Sequence, residues 1–137
     1  MSKWESVLPR IAVELDAIDE AWLAETAESI QGKAKEYVRV DTGKTRGSYD
    51  VKLIKDEKKA LVGSGEDNAI YEEYGTGIHA ENGMGRKTPW RFKTKDGTWR
   101  WTRGKTATRP LRNGYEDVAP TAAEAYARLC ENRIKGM

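Results

Sequence analysis

One cysteine and one histidine in 137 residues leave little material for metal or redox chemistry. A lone Cys130 can close no intrachain disulfide, which suits a reducing compartment. Beside Leu129 in a helical pattern, it is expected to be a small buried apolar residue. The single imidazole, His79, has no cysteine near it, so no zinc site is expected and a solvated loop position is. No serine or cysteine is placed by a recognisable base. Glu72 and Glu73 are adjacent, so on a helix or a strand they point apart and cannot face one bond as an acid/base pair. No enzymatic activity, no catalytic residue, no cofactor and no metal are expected. Apolar residues are scarce at 38%, against 34% charged. The core is therefore expected to be small for a single domain, or completed by a partner. No run approaches the roughly 18 apolar residues of a membrane span, and Met1-Ser2-Lys3-Trp4-Glu5 opens no secretory signal; no membrane partner is expected.

An excess of one charge is also missing, since the net charge is only +2. Its distribution, however, is uneven. Residues 1–38 hold eight acids and four bases; residues 66–82 hold five acids and no Lys or Arg; residues 83–112 hold ten bases and one acid, Asp96. A strongly basic segment next to an acidic one is a patterned dipole rather than a uniformly basic nucleic-acid binder. It could meet the acidic surface of a second copy head to tail, or line a channel through which nucleic acid passes.

Periodicity gives an α+β reading in one domain, 1–137. Leu8, Ile11, Leu15, Ile18 and Trp22 recur at helical spacing, and the seam continues through Ile30, Ala34 and Tyr37. A long helix is expected over 1–40, starting near Val7 to Arg10 because Ser6 is a fair N-cap and Pro9 suits only a first turn. At about 1.5 Å per residue, some 30 residues make a rod of ~45 Å, long enough to overhang a small sheet. A period of two over 48–64 predicts a hairpin with one buried face. Residues 67–74 predict one or two helical turns, and the Gly-rich segment 75–88 a flexible loop. A second, Trp-rich basic hairpin is expected over 89–102 around Asp96-Gly97. Trp90 and Phe92 would share one face of its first strand, Trp99 and Trp101 one face of its second, with Arg91, Lys93, Arg100 and Thr102 opposite. The aromatic face is expected to pack, within the chain or between subunits. A last helix is expected over 110–135, broken or bent near Val118 by Pro120. The two hairpins are expected to form one small antiparallel sheet, with the long helix across one face and the last helix beside it.

Three segments punctuate this plan: Val40-Asp41-Thr42-Gly43-Lys44-Thr45-Arg46-Gly47-Ser48, Tyr71-Glu72-Glu73-Tyr74-Gly75-Thr76-Gly77 and Thr108-Arg109-Pro110-Leu111-Arg112. Each is a Gly- or Pro-bearing corner with side chains able to hydrogen-bond a nearby backbone, so Asp41, Thr42, Gly43, Gly75, Thr76, Gly77 and Pro110 read as structural turns. Asp41-Thr42-Gly43 also matches the triplet of dimeric aspartic proteases. That chemistry needs the triplet on a loop between strands, where two carboxylates share a proton, whereas here a helix ends just before it. Gly75-Thr76-Gly77 matches a degenerate dinucleotide fingerprint but lacks the hydrophobic strand before it and the helix after it.

In order and spacing, the three segments resemble the small tailed-phage family typified by the HK97 gp10-like tail component, over roughly residues 10–134. The resemblance implies a structural virion protein of a long-tailed phage, at the neck or upper tail. It would join tail to head as a homo-oligomeric ring, a hexamer being favoured, around the DNA channel and against other neck and tail proteins, after assembly in the host cytoplasm. Three positions depart from the family pattern: Arg39 where proline is usual, Thr45 where leucine is usual, and Asn113-Gly114 where a proline-alanine pair often follows. On this reading, an acidic side (Glu66, Asp67, Glu72, Glu73, Glu81) meets a basic side (Arg86, Lys87, Arg91, Arg100, Arg103) of the next copy. Electrostatics would set register, Trp burial would supply most of the affinity, and the 75–88 loop would order on docking. The basic side could alternatively line the DNA channel. The alternative from another class is a small nucleic-acid-binding module built on the basic aromatic hairpin.

Overall fold

The computed structural model describes residues 3–39, 43–94 and 96–136, with side chains from residue 16 onward. A first helix, α1 (Lys3–Tyr37), is followed by a one-turn α2 (Lys44–Gly47), the hairpin β1 (Tyr49–Ile54) and β2 (Lys59–Ser64), and α3 (Asp67–Tyr74). The hairpin β3 (Trp90–Lys93) and β4 (Trp99–Thr102) and the long helix α4 (Pro110–Lys135) complete the chain. The α+β class, the long first helix, both hairpins and the last helix are as the periodicity predicts. The start of α1 is corrected: it lies at Lys3, so Pro9 falls inside the helix, where it removes one backbone donor. Asp41 and Thr42 lie outside the described residues. They fall between α1 and α2, two helices rather than two strands.

Helices α1 and α4 pack antiparallel, and polar groups fix their register at several points. Trp22 Nε1–H donates to the Ala122 carbonyl at 2.8 Å, and the Trp22 ring meets Tyr126 edge-on at 5.6 Å. Tyr126 donates to Asp19 at 2.7 Å, and Tyr37 to Asp117 at 2.7 Å. The hydrogen bond to Asp19, with a smaller contribution from burial, holds the Tyr126 phenol up at about 12. Near the N-terminal end of α4 the backbones approach closely. A Cβ on the buried Gly114 would stand 3.0 Å from both the Ala34 nitrogen and the Ile30 carbonyl oxygen. This gives the Asn113-Gly114 departure a physical role, because any side chain here would require the α1 backbone to give way. Pro120 does not break α4, which is unbroken to Lys135. Contacts to α1 on both sides of it, buried Val118 and Ala122, hold the helix through the missing hydrogen bond. Cys130 is half-buried rather than buried.

The β1–β2 hairpin lies along the other side of α1. Gln31 donates to the Tyr49 carbonyl at its base, and Lys58 in its turn reaches Asp16 at 2.8 Å and Asp19 at 3.6 Å. Its burial is graded: Tyr49 is 2% exposed, while Leu53 near the tip is 39% exposed. The core sits where the C-terminal turns of α1 meet the hairpin base, around Ala34, Val38, Tyr49 and Ala69, with Leu111 against it. It is small. The largest fully buried side chains of the described residues are Glu72 and Pro110, not a large apolar group.

The two hairpins form separate two-stranded sheets, not one sheet. In β3–β4, Trp90 pairs with Thr102, Arg91 with Trp101, Phe92 with Arg100 and Lys93 with Trp99. Directly paired residues share a face, so one face carries Trp90, Phe92, Arg100 and Thr102, and the other Arg91, Lys93, Trp99 and Trp101. The expected split into an aromatic and a basic face is therefore corrected. Thr94 N–H donates to the Thr98 carbonyl at 2.8 Å, leaving three residues, 95–97, in the turn, and Gly97 takes a φ of 89°. A three-residue loop closed by a left-handed Gly shifts the register by one residue relative to a two-residue Asp-Gly turn, and that shift sends every β4 side chain to the other face. With cations on both faces, neither can be buried against the rest of the chain. Phe92, Trp99 and Trp101 remain 42%, 56% and 69% exposed.

Replacing Gly114 with Val should force α4 away from α1 and lower the unfolding free energy by about 1–3 kcal/mol, read as a shift in the urea midpoint. An unchanged midpoint would show that the helices have slack at this crossing.

Candidate functional site

The second and third motifs, some thirty residues apart in sequence, form one polar unit. After α3, the chain turns through Gly75-Thr76-Gly77 and runs beside residues 103–105. Thr76 N–H donates to the Lys105 carbonyl at 2.9 Å, Lys105 N–H returns to Thr76 Oγ1 at 2.9 Å, and Ile78 N–H donates to the Arg103 carbonyl at 3.0 Å. Gly77 (φ 60°) and Gly104 (φ 124°) lie back to back in left-handed geometry. A Cβ on Gly77 would overlap the Arg103 carbonyl oxygen, and one on Gly104 would overlap the Thr76 carbonyl oxygen. Both positions need glycine for backbone angle and for space.

Three carboxylates then hold the start of α4. The Glu72 side chain is 1% exposed; it accepts from Lys105 Nζ at 2.7 Å and Thr108 Oγ1 at 2.5 Å, while its carbonyl accepts from the amides of Thr108 and Arg109. Burial pushes the Glu72 carboxyl up, but hydrogen bonds from Lys105 and Thr108 and the charges of Lys105 and Arg39 outweigh it and hold it below the ordinary value. Glu73 takes the place of a helix cap. Arg109 at the N-cap is left-handed with no side-chain cap of its own, and Glu73 Oε1 accepts the Leu111 amide at 2.8 Å instead. Its other oxygen takes Arg112 Nε at 2.8 Å, and its carbonyl takes Arg112 Nη2. Glu81 bridges Arg109 at 2.8 Å and Arg112 at 2.9 Å, and those two guanidiniums, Arg112 foremost, hold its carboxyl low. The Arg112 guanidinium also stands 5.1 Å from the Tyr74 ring centroid, and Glu81 and Glu73 push its already high pKa higher. Beneath this clasp, burial and the charges of Glu73 and Glu72 push the Tyr49 phenol up to about 12; its buried hydroxyl has no protein partner.

The clasp decides where the expected acidic side can act. Of its five residues, Glu72, Glu73 and Glu81 are occupied within the chain. Glu66 pairs with Lys44 at 3.3 Å, and Asp67 is exposed at the start of α3. The basic residues Arg86, Lys87, Arg91, Arg100 and Arg103 are all exposed on or beside the β3–β4 arm. Arg86 stands 5.8 Å from the Trp90 ring centroid and Arg91 5.1 Å from that of Trp99. Gly43 is left-handed at φ 74°, and Gly75, Thr76, Gly77 and Pro110 are corners as predicted, with Pro110 fully buried at the head of α4. The first half of the segment 75–88 is stitched to residues 103–105 and, through Glu81, to α4. The two other family departures are also engaged: Arg39 donates to the Thr106 carbonyl at 2.8 Å, and buried Thr45 accepts from Asn68 at 3.0 Å. The cations that complete the clasp, Lys105, Arg109 and Arg112, were not paired with these acids by sequence reasoning. The available signal was the coincidence of an acidic second motif and an Arg-flanked third one.

Chemically, the arrangement fixes a backbone and presents an arm. Among the described residues, no group of three or more His, Cys, Asp and Glu could hold a metal ion, and no helix is long and apolar enough to cross a membrane. His79 is exposed in a single turn of 3-10 helix. Gly75-Thr76-Gly77 follows a helix rather than a strand, so the dinucleotide context is absent.

In comparison with known families, the chain matches the HK97-gp10-like family of bacteriophage tail components over residues 5–75, just over half its length, and it belongs to that family. The matched region covers the first motif and the second as far as Gly75; the third enters the fold through the clasp. No curated protein and no solved structure matches it significantly.

Glu72→Gln should cost about 2–3 kcal/mol, below the usual loss for breaking a fully buried pair because Lys105 retains some access to water. Because Glu72 and Glu81 titrate below their ordinary values, their stabilisation is complete above about pH 4.3 and declines as pH falls through the lower folded values. Thermal melts from pH 7 to 2.5 should show this acid limb in the native chain and a shallower one in Glu72→Gln. Equal limbs would remove Glu72 as its source.

Proposed function

We infer that this member of the HK97-gp10-like family is a structural, non-enzymatic component of the virion that acts at the neck or upper tail, where it helps join tail to head as a homo-oligomeric ring around the DNA channel. The observation that carries this reading is the exposed β3–β4 arm. Three large aromatics and several cations stand in water on a hairpin whose base is anchored by the clasp. Exposed aromatics rimmed by arginine mark an interaction surface rather than a solvated one. Copies would join heterologously, arm to an acidic surface of the next, and rotation would close the ring. Charge would govern encounter and register, and indole burial would slow dissociation. Other neck and tail proteins would meet the faces of the ring.

A second reading has support from the arm's register. Arg91, Lys93, Trp99 and Trp101 share a face, and stacking aromatics interleaved with cations suit single-stranded nucleic acid. A titration against salt separates the two. Binding of free DNA that falls steeply with log salt favours this reading, and no binding at moderate salt favours assembly.

Charge reversal of Arg86, Lys87 and Arg91 to Glu should leave a folded chain, since these side chains make no contact with the core. Supplied to infected cells in place of the native protein, it should yield heads and tails that fail to join. Normal particle yield from this variant would remove the arm from assembly.

A further inference from the structure

A groove runs between α1 and α4 on their outward side, with a volume of about 690 Å³. Its lining includes small residues, among them Ser29 and Gly32 of α1 and Ala122 and Ala125 of α4. Its walls carry Glu25, Glu36, Asp117 and Glu124 against only Lys33 and Arg128. Glu36 is matched by Lys33 at 3.5 Å and Glu25 by Arg128, while Asp117 accepts the Tyr37 hydroxyl. The groove therefore keeps an excess of two negative charges. Its volume falls in the range of roughly 300–1,000 Å³ typical of sites that enclose ligand-sized groups.

We propose that this groove receives the β3–β4 arm of a second copy of the chain, through the face that carries Arg91, Lys93, Trp99 and Trp101. This rests on the reading that copies assemble through the arm, and it names the surface they meet. Charge selects the pairing: two arm cations face a groove with two uncompensated carboxylate charges. Shape supports it as well. Small lining residues leave room for flat rings, and Trp99 and Trp101 still expose 56% and 69% of their surface, roughly 200–300 Å² awaiting cover. The aliphatic stems of Arg91 and Lys93 add apolar area beside the rings. A typical stable interface covers roughly 800 Å² per partner, so the arm face supplies the centre of one and its flanks the remainder. The arm does not pack extensively on α1 or α4 of its own chain. The competing acidic surface, Glu66 and Asp67, offers two carboxylates, one already paired with Lys44.

Sedimentation of the purified full chain up to millimolar concentration, with three variants, tests the assignment. The arm variant carries Arg91→Glu and Lys93→Glu, the groove variant Glu36→Lys and Glu124→Lys, and the third Glu66→Lys and Asp67→Lys. All altered residues are exposed except Glu66, which is half-buried against Lys44, and far-ultraviolet circular dichroism checks the fold of each. The native chain should self-associate, with Trp fluorescence shifting to the blue as the indoles leave water. The arm and groove variants should each associate at least about tenfold more weakly. Their equimolar mixture should recover association, because a reversed arm fits a reversed groove. That recovery cannot come from misfolded chains. If the groove variant associates normally while Glu66→Lys/Asp67→Lys does not, the groove is wrong and arm-driven assembly stands. If DNA alone shifts the Trp emission, or the native chain stays monomeric throughout, the arm does not join copies and both readings fall.

Discussion

A buried glutamate pair organises this protein. Glu72 and Glu73 sit at the end of α3 with their carboxylates almost wholly removed from water, and such charges are tolerable only when every oxygen is matched. The groups that match the carboxylate oxygens all come from residues 105–112: the Lys105 ammonium, the Thr108 hydroxyl, the Leu111 amide and the Arg112 guanidinium, while the Thr108 and Arg109 amides bond the Glu72 carbonyl. One short helix therefore fixes where α4 starts and how the chain approaches it. In a domain whose best-covered large side chain is a carboxylate, this clasp substitutes for apolar volume that the composition lacks. It is also directional, which apolar packing is not.

The consequences run outward in both directions. On one side, the start of α4 is held against the end of α1 so closely that a side chain at Gly114 would push the helices apart, and the two helices then run antiparallel with Trp22, Tyr126 and Tyr37 as tie points. On the other side, the backbone of 103–105 is stitched to the Gly75–Gly77 corner, so the base of the β3–β4 arm is anchored while its strands project free. Membership of the phage tail-component family makes this a component of a bacteriophage tail.

Much of the fold was legible from periodicity and corner chemistry. The helical seam through Ile18, Trp22, Ile30 and Ala34, the alternation after Tyr49 and the Asp96-Gly97 turn locate most of the observed elements. The GTG corner was legible as a turn because only glycine tolerates its angles. The boundary at Pro9 and the continuity of α4 through Pro120 were misjudged for one reason: proline's local penalty is fixed by the residue, whereas the packing that outweighs it is not visible nearby in sequence. Of the site, the residues were named but not their pairings. Glu72 and Glu73 read as surface acids because sequence gives a charge without its burial.

Residue order alone settled the alternation of helix and hairpin, the places where only glycine or proline would serve, and the uneven distribution of charge. These are local properties, set by backbone sterics and by side-chain type. The tertiary structure decided which carboxylates are consumed internally and which faces of the arm carry its tryptophans. Ion pairing depends on distances that close only when residues 72 and 105 come together, and facial identity in a hairpin depends on a register that one extra turn residue inverts.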